Sequence, residues 1–275
     1  MPVVRDAAAT RRFLAGQDAR VGIGSEYSRG VAEELTDRAF WEAYWRSRPP
    51  TLVPRSWYYA GLLQRTIAGR GYRSFVELGG FPGSFGVYAR RYLGFQDVAI
   101  VDSYIDRAYL ERFLGANGLT ADDVDVVEAD IFELELPRRY DVVLSGGLIE
   151  HFADPTRALE RHGAALAPGG TLVVTVPNFR GLNGLLQRGF DRENLAHHNV
   201  SLMEPEALAE RLRALDSLTE VEGFYYGAFR AWLEGASSVG RVALFGVQAS
   251  GYLLDRVRPR TRLTGRDVVG VGRLP

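Results

Sequence analysis

From about Tyr72 onward, short apolar runs alternate with segments of helical periodicity. Mostly unbroken apolar runs are typical of strands buried on both faces of a parallel sheet. Tyr104–Leu114 places its apolar residues on one helical side, and a second helix runs from Asp154-Pro155 to about Leu166. This alternation predicts a doubly wound α/β sheet. Its first five strands are expected at Ser74–Leu78, Val98–Val101, Val124–Glu128, Tyr140–Ser145 and Thr171–Val176.

The pattern changes after the fifth strand. Asn178–Asn199 is rich in Asn, Gly, Arg and His, which indicates an irregular loop with one short helix. An amphipathic helix follows at Pro205–Leu215, and an apolar helical insert is expected at Ser238–Arg256, within residues 227–262. Two further strands, Leu218–Tyr226 and Asp267–Gly272, complete a seven-stranded, mostly parallel sheet. Residues 1–72 have a helical pattern and precede this core of residues 73–275.

Composition removes several chemistries from consideration. The 275 residues include no Cys, and all 33 basic residues are Arg. Disulfides, thiolate nucleophiles, Schiff-base lysines and a phosphate-loop lysine are therefore excluded. A net charge of −1 gives no electrostatic footprint for nucleic acid. Met1–Arg12 lacks an apolar run of signal-peptide length, and Val242–Leu254 is too short to span a bilayer, so we expect a cytoplasmic protein without integral membrane association.

A strand, a glycine-rich turn and a helix start follow one another between Ser74 and Gly86. The turn does not match the Gly-x-Gly-x-x-Gly dinucleotide fingerprint, because Phe81-Pro82 occupies the place of the second glycine. Glu77 lies inside the first strand, just before Gly79. A carboxylate there suits an amino group better than a phosphate.

Two more carboxylates follow the next predicted strands. Asp102 ends the second strand and could accept hydrogen bonds from two ribose hydroxyls. Asp130 follows the third strand and could accept from an adenine amino group. A ligand with an amino group, a ribose and an adenine but no phosphate is S-adenosylmethionine.

At this point the sequence resembles the class I S-adenosylmethionine-dependent methyltransferases over most of residues 72–275. Tyr140–Pro155 is similar to the family's fourth motif, and Leu166–Pro177 to its approach to the fifth strand. His198–Leu208 is similar to the loop and helix that follow. The resemblance implies S-adenosylmethionine as cofactor, with S-adenosylhomocysteine as product.

The resemblance also implies a set of cofactor-binding residues. Phe81 departs from the family, which usually has its middle glycine there, so the ring either tilts the cofactor or points away. The implied contacts are Glu77, Gly79, Gly80 and Gly83 at the methionine end, Asp102 and Ser103 at the ribose, Asp130 and Ile131 at the adenine, and Ser145 and Gly146 near the sulfonium.

Three of the four histidines are candidate catalytic residues. A hydroxyl acceptor usually needs a general base, for which histidine is best tuned. His151 follows the fourth strand, where the family faces the methyl group, although Glu150-His151 could only cap and orient the loop. His197 and His198 lie in the loop that covers the acceptor pocket in the family. One of them is the second candidate for the base or for an acceptor contact, or only forms a hydrogen bond within the loop. No metal is expected, because adjacent histidines diverge and metal-ligand spacings are absent.

Aromatic residues cluster at Phe40–Trp45 and Trp57–Tyr59. At helical spacing such residues usually pack on a core. Because the N-terminal segment of family members commonly covers the acceptor, residues 1–72 could instead form a lid. The candidate acceptor contacts are Trp41, Tyr44, Trp45, Tyr58, Asn178 and Asn199.

These features predict O-methylation of a small polar metabolite, such as a sugar or a secondary metabolite. N-methylation of an amino sugar or amine is the enzymatic alternative, and a non-catalytic S-adenosylmethionine-binding module is the alternative from another class. The apolar insert favours a packing or homodimer surface, and weak contact with a membrane surface stays open.

Overall fold

The computed structural model describes residues 34–234, 238–257 and 259–275. Its seven strands form one sheet in the order β3-β2-β1-β4-β5-β7-β6. The strands are β1 (Ser74–Leu78), β2 (Asp97–Asp102), β3 (Asp125–Glu128), β4 (Tyr140–Gly146), β5 (Leu166–Pro177), β6 (Thr219–Tyr226) and β7 (Asp267–Arg273).

The first five strands are parallel, and β7 runs antiparallel between β5 and β6. The predicted seven-stranded, mostly parallel sheet is confirmed. Most strand boundaries agree with the prediction to within one residue. The largest difference is in β5, which begins at Leu166 rather than Thr171. Pro168-Gly169-Gly170 is thus part of an extended segment whose pairing with β4 shifts between Tyr140 and Val142.

Helices cover both faces of the sheet. Leu62, Val87 and Phe113 pack on one side. Leu159 and Leu208 pack on the other. The described α-helices are α1 (Arg38–Arg46), α2 (Ala60–Thr66), α3 (Ser84–Tyr88), α4 (Arg107–Ala116), α5 (Thr156–Ala165), α6 (Leu182–Phe190), α7 (Arg192–Ala196), α8 (Pro205–Arg213) and α9 (Ser238–Val257).

Carboxylates fix the starts of three helices. Asp37 accepts from the Phe40 amide at 2.8 Å before α1, and Asp106 accepts from the Tyr109 amide at 2.9 Å before α4. Asp154 accepts from the Thr156 amide at 3.1 Å. Helix α5 begins at Thr156, one residue later than the sequence indicates, and its N-cap is Pro155 rather than Asp154. Such caps satisfy amides that have no partner within the helix.

The segments outside the sheet differ more from expectation. The loop after β5 contains two α-helices, α6 and α7, where one was predicted. Of the predicted helical N-terminal segment, residues 1–33 lie outside the described residues, and residues 34–72 contain only the short helices α1 and α2. The predicted helical insert is present as α9. None of the described helices is long and apolar enough to cross a membrane.

Candidate functional site

A cavity of about 1010 Å³ opens at the carboxyl edge of the parallel strands. Its wall contains the turns that follow β1 to β4, helix α1 and part of the segment between β6 and α9. In doubly wound sheets this edge is where ligands bind, because the strand order reverses there. The cavity is at the upper end of the usual size for ligand sites, enough for a nucleoside and a second small molecule.

The turn after β1 is built around Glu77. Gly79 has a φ of +61°, and a Cβ at Gly80 would lie 2.1 Å from the Glu77 Cγ. The Glu77 carboxylate is 3% exposed and accepts from the amides of Gly86, at 2.7 Å, and Phe85. Burial raises its pKa to about 8. Glu77 lines the cavity, but its carboxylate is already used to hold the start of α3 against β1.

Asp102 organises the next turn in the same way. Its two oxygens accept from the Phe81 amide at 2.9 Å and the Tyr104 amide at 3.0 Å. The Ser103 amide also donates to this carboxylate. A carboxylate has about four acceptor positions, so Asp102 can still accept from a ligand hydroxyl. Asp102 and the neighbouring Ser103 line the cavity. The guanidinium of Arg38 donates to the Ser103 carbonyl and, at 2.7 Å, to Glu128, and so ties α1 to the ends of β2 and β3.

The remaining predicted cofactor contacts divide into two groups. Asp130, Ile131 and Gly146 line the cavity. Ser145 is fully buried and lies behind the wall, and within the described residues its hydroxyl has no hydrogen-bond partner. Gly83 also lies off the wall, because it supports the turn: a Cβ there would lie 2.1 Å from the Ile100 Cδ1. The structure therefore does not place Ser145 and Gly83 on the cavity wall, and their contact with the cofactor stays a prediction.

The Phe81 ring packs among other aromatic rings. Its centroid lies 5.3 Å from that of Trp45, 5.7 Å from Tyr104 and 5.4 Å from Tyr109. Such edge-to-face packing favours a fixed ring position. The side chain that replaces the family's middle glycine thus helps to hold α1 on the turn after β1.

Some predicted acceptor contacts lie on the wall and others do not. Trp41, Tyr44 and Trp45 line the cavity from α1. Tyr58, Asn178 and Asn199 lie off the wall and are used in structural hydrogen bonds: Tyr58 donates to Asp267 at 2.8 Å, Asn178 to Gly265 at 2.8 Å and Asn199 to Ala153 at 2.9 Å. The structure therefore does not place these three predicted contacts at the cavity.

Two of the candidate histidines meet at the far end of the cavity. The ring centroids of His151 and His198 are 4.7 Å apart. The His151 Nδ1 lies 2.8 Å from the His197 carbonyl, and the His198 Nδ1 lies 2.7 Å from the Asn194 carbonyl. A carbonyl oxygen only accepts, so each Nδ1 carries the hydrogen and each Nε2 has a free lone pair.

Glu150 completes what we call the Glu–His–His cluster, formed by Glu150, His151 and His198. Its carboxylate is 1% exposed, with one oxygen 4.0 Å from the His151 Nε2. Burial raises the pKa of Glu150 to about 8 and lowers the pKa of His151 to about 3 and of His198 to about 4. His197 lies outside the cluster and off the cavity wall, with its ring 4.8 Å from that of Phe40.

Sequence reasoning missed the two buried acidic groups Glu150 and Asp267 among the residues that line the cavity. The sequence offers only a capping role for Glu150, whereas its carboxylate lies 4.0 Å from the His151 Nε2. Asp267 is buried and lines the cavity, accepts from Tyr58, and has its pKa raised to about 6 by burial. It opens β7 opposite Pro177, so an acid at the start of an apolar strand was the available signal.

The chain matches a known protein family. A family model described as "Methyltransferase domain" matches residues 44–216, more than half of the chain. The chain belongs to the class I S-adenosylmethionine-dependent methyltransferases. The glycine turn without a lysine, and the carboxylates of Asp102 and Asp130 after β2 and β3, fit the methyltransferase's sulfonium nucleoside better than they would fit a nucleotide's phosphates. The sequences of curated proteins give no match.

Solved structures show the same fold at low sequence identity. One chain from the complex between the Haloferax volcanii Trm112 methyltransferase activator and a proposed methyltransferase is 21% identical, with a TM-score of 0.52 over 80% of this chain and 91% of that one. Phosphoethanolamine N-methyltransferase 2 of Haemonchus contortus, with S-adenosyl-L-methionine, is 16% identical, with a TM-score of 0.52 over 78% and 51%. The plantazolicin methyltransferase BpumL is 14% identical, with a TM-score of 0.51 over 79% and 82%.

Proposed function

We propose that the methyltransferase methylates a hydroxyl group of a small polar metabolite, such as a sugar or a secondary metabolite. The observation that carries this proposal is the Glu–His–His cluster, which presents two unprotonated imidazole nitrogens to the cavity. An amine acceptor needs no such groups once it is neutral, whereas a hydroxyl must lose a proton as it reacts.

The cofactor occupies the part of the cavity formed by the turns after β1, β2 and β3. S-adenosylmethionine supplies an electrophilic methyl group when it is bound. The Gly79-Gly80 backbone would hold its methionine end, Asp102 would accept from a ribose hydroxyl, and Asp130 would accept from the adenine amino group. Glu77 acts on this site by holding the turn, through the Gly86 amide, rather than as a direct contact.

The acceptor occupies the end between α1 and the Glu–His–His cluster. Trp41 links the two, because its ring centroid lies 5.1 Å from that of His151 at an interplanar angle of 90°. Arg230 and Asp267 line the same cavity. Aromatic faces beside charged groups suit a flat or sugar-like molecule with several polar substituents. On this view residues 34–72 form the lid over the acceptor.

Removal of the hydroxyl proton falls to the Glu–His–His cluster. Methyl transfer forms a bond from the acceptor oxygen to the methyl carbon while the carbon–sulfur bond breaks and its electron pair stays on sulfur. The acceptor hydrogen-bonds to the free Nε2 atoms of His151 and His198. Burial lowers both imidazole pKa values well below 6.5, so each histidine is a weak base here. One Nε2 takes up the hydroxyl proton as the oxygen bonds to the methyl carbon, and releases it to water afterwards.

N-methylation is the second candidate, and the acids of the cavity favour it. Asp267 and Glu234 line the wall and could hold an ammonium group before it loses its proton. The two candidates are separated by following transfer of a labelled methyl group from S-adenosylmethionine to matched acceptors, for example a set of sugars and their amino-sugar counterparts. The proposal expects label in the hydroxyl compounds and a product stable as an ether. Transfer only to the amino compounds would replace it with N-methylation, and binding without any transfer would indicate a module that only holds the cofactor.

A further inference from the structure

Three potential ligand atoms meet in the Glu–His–His cluster. Glu150, His151 and His198 each offer one, and these atoms all lie within 4.8 Å of one another. The residues come from two separate parts of the chain, the turn after β4 and the segment after α7. Their sequence spacing gave no reason to expect a metal, because the third ligand joins only through the fold.

Two independent features show that the cluster lacks a partner. The Glu150 Oε2 has no hydrogen-bond partner among residues 34–234, 238–257 and 259–275, although the side chain is almost completely buried. A buried carboxyl oxygen without a partner costs free energy unless a cation or a hydrogen-bond donor compensates it. In addition, both imidazoles donate Nδ1–H to backbone carbonyls, which is how metal-binding histidines are usually oriented.

We propose that the Glu–His–His cluster binds a divalent transition-metal cation, with Zn²⁺ as the probe. Two imidazoles and a carboxylate are a donor set that zinc accepts in open sites. Tetrahedral ligands at zinc lie about 3.4 Å apart, so the side chains close in slightly from their present separation. All three residues line the cavity, and the fourth position of the cation therefore faces the acceptor.

The use of this cation rests on the proposed O-methylation, whereas its binding does not. The acceptor hydroxyl takes the open position, and the positive charge lowers the pKa of that hydroxyl. Its proton passes to the Asp267 carboxylate, which lines the same cavity. The oxygen then bonds to the methyl carbon as the carbon–sulfur bond breaks. In this scheme the Nε2 atoms of His151 and His198 bind the cation and do not take up the hydroxyl proton.

The experiment is a Zn²⁺ titration of the chelator-treated full chain by calorimetry, repeated with Co²⁺ to record its visible absorption. We expect one cation per chain. The visible absorption of bound Co²⁺ should be that of a four-coordinate ion with nitrogen and oxygen ligands. Glu150→Gln and His198→Gln, which nearly keep the side-chain shapes, should each weaken Zn²⁺ binding at least 10-fold. Glu193→Gln on the exposed surface of α7 is the matched control and should bind as the wild type does.

S-adenosylmethionine binding by every variant checks that the fold is intact. Absence of stoichiometric Zn²⁺ binding to the wild type, or equal binding by the cluster variants, overturns the proposal and leaves an ordered water as the partner of Glu150. Methyl transfer by metal-free enzyme would overturn the metal's role while the O-methylation stands. Zn²⁺ binding at the cluster without transfer to any hydroxyl compound would support the site and contradict the proposed function.

Discussion

His151 and His198 face each other with ring centroids 4.7 Å apart and planes inclined by 53°. Each ring is anchored through Nδ1 to a backbone carbonyl, so the same nitrogen of both rings, Nε2, faces the cavity. The carbonyl that anchors His151 belongs to His197. The adjacent residues His197 and His198 therefore contribute differently: His198 through its ring, and His197 through the backbone carbonyl that anchors His151.

That difference predicts unequal effects of two neighbouring substitutions. His198→Ala removes a ring of the cluster, and we expect turnover to fall by roughly 10²- to 10⁴-fold, the usual contribution of proton-transfer groups. His197→Ala keeps the backbone carbonyl and should cost less than about 10-fold. Steady-state kinetics on both variants, with S-adenosylmethionine affinity measured in parallel, checks this. Equal losses, or a larger loss for His197→Ala, would contradict the assignment.

The substitution Glu77→Gln tests whether Glu77 stabilises the turn after β1 or only binds S-adenosylmethionine. The amide group of Gln presents one acceptor to the Phe85 and Gly86 amides, so one buried N–H loses its partner. We expect the free energy of unfolding of the ligand-free protein to fall by about 1–3 kcal/mol. Denaturant unfolding of this variant beside the exposed Glu133→Gln control measures it. Unchanged stability with weakened S-adenosylmethionine binding would show a direct contact instead.

The parallel sheet was predictable because its strands are continuous apolar runs, and β1 is buried along its whole length. The carboxylates at the ends of β1 to β3 were predictable for the same reason, since strand ends fix their position. Tyr58, Asn178 and Asn199 could not be separated from true cavity residues, because their polar groups are used by partners distant in sequence. The Glu–His–His cluster was also hidden, since Glu150 and His198 meet only once β4 and α7 are placed.

The expected homodimer and cytoplasmic location stay predictions. The structure adds that α9 exposes large apolar side chains, with Val242 at 75% and Phe245 at 78% exposure.

His162 gives a pH dependence of stability that is independent of the site. The ring is fully buried on α5, with Nδ1 donating to the Ala158 carbonyl at 2.7 Å. Burial lowers its pKa to about 4, whereas the unfolded chain takes up the proton near 6.5. The unfolded state therefore binds more protons between these values, and stability falls as the pH is lowered through that window.

For this one group the loss between pH 7 and pH 5 is about 2 kcal/mol. His162→Leu removes the titrating group, so the difference in unfolding free energy between wild type and variant should shift by that amount between the two pH values. The comparison cancels the other histidines, which both proteins share. If the unfolding free energies of wild type and His162→Leu changed equally between pH 7 and pH 5, His162 would not titrate in this range.

The measurement that tests the central claim most directly is a calorimetric titration of the purified chain with S-adenosylmethionine, ATP and NAD. We predict one S-adenosylmethionine bound per chain, an affinity lowered roughly 10-fold or more by Asp102→Asn, and no comparable heat from ATP or NAD. Tight binding of ATP or NAD, with S-adenosylmethionine ignored, would contradict the account.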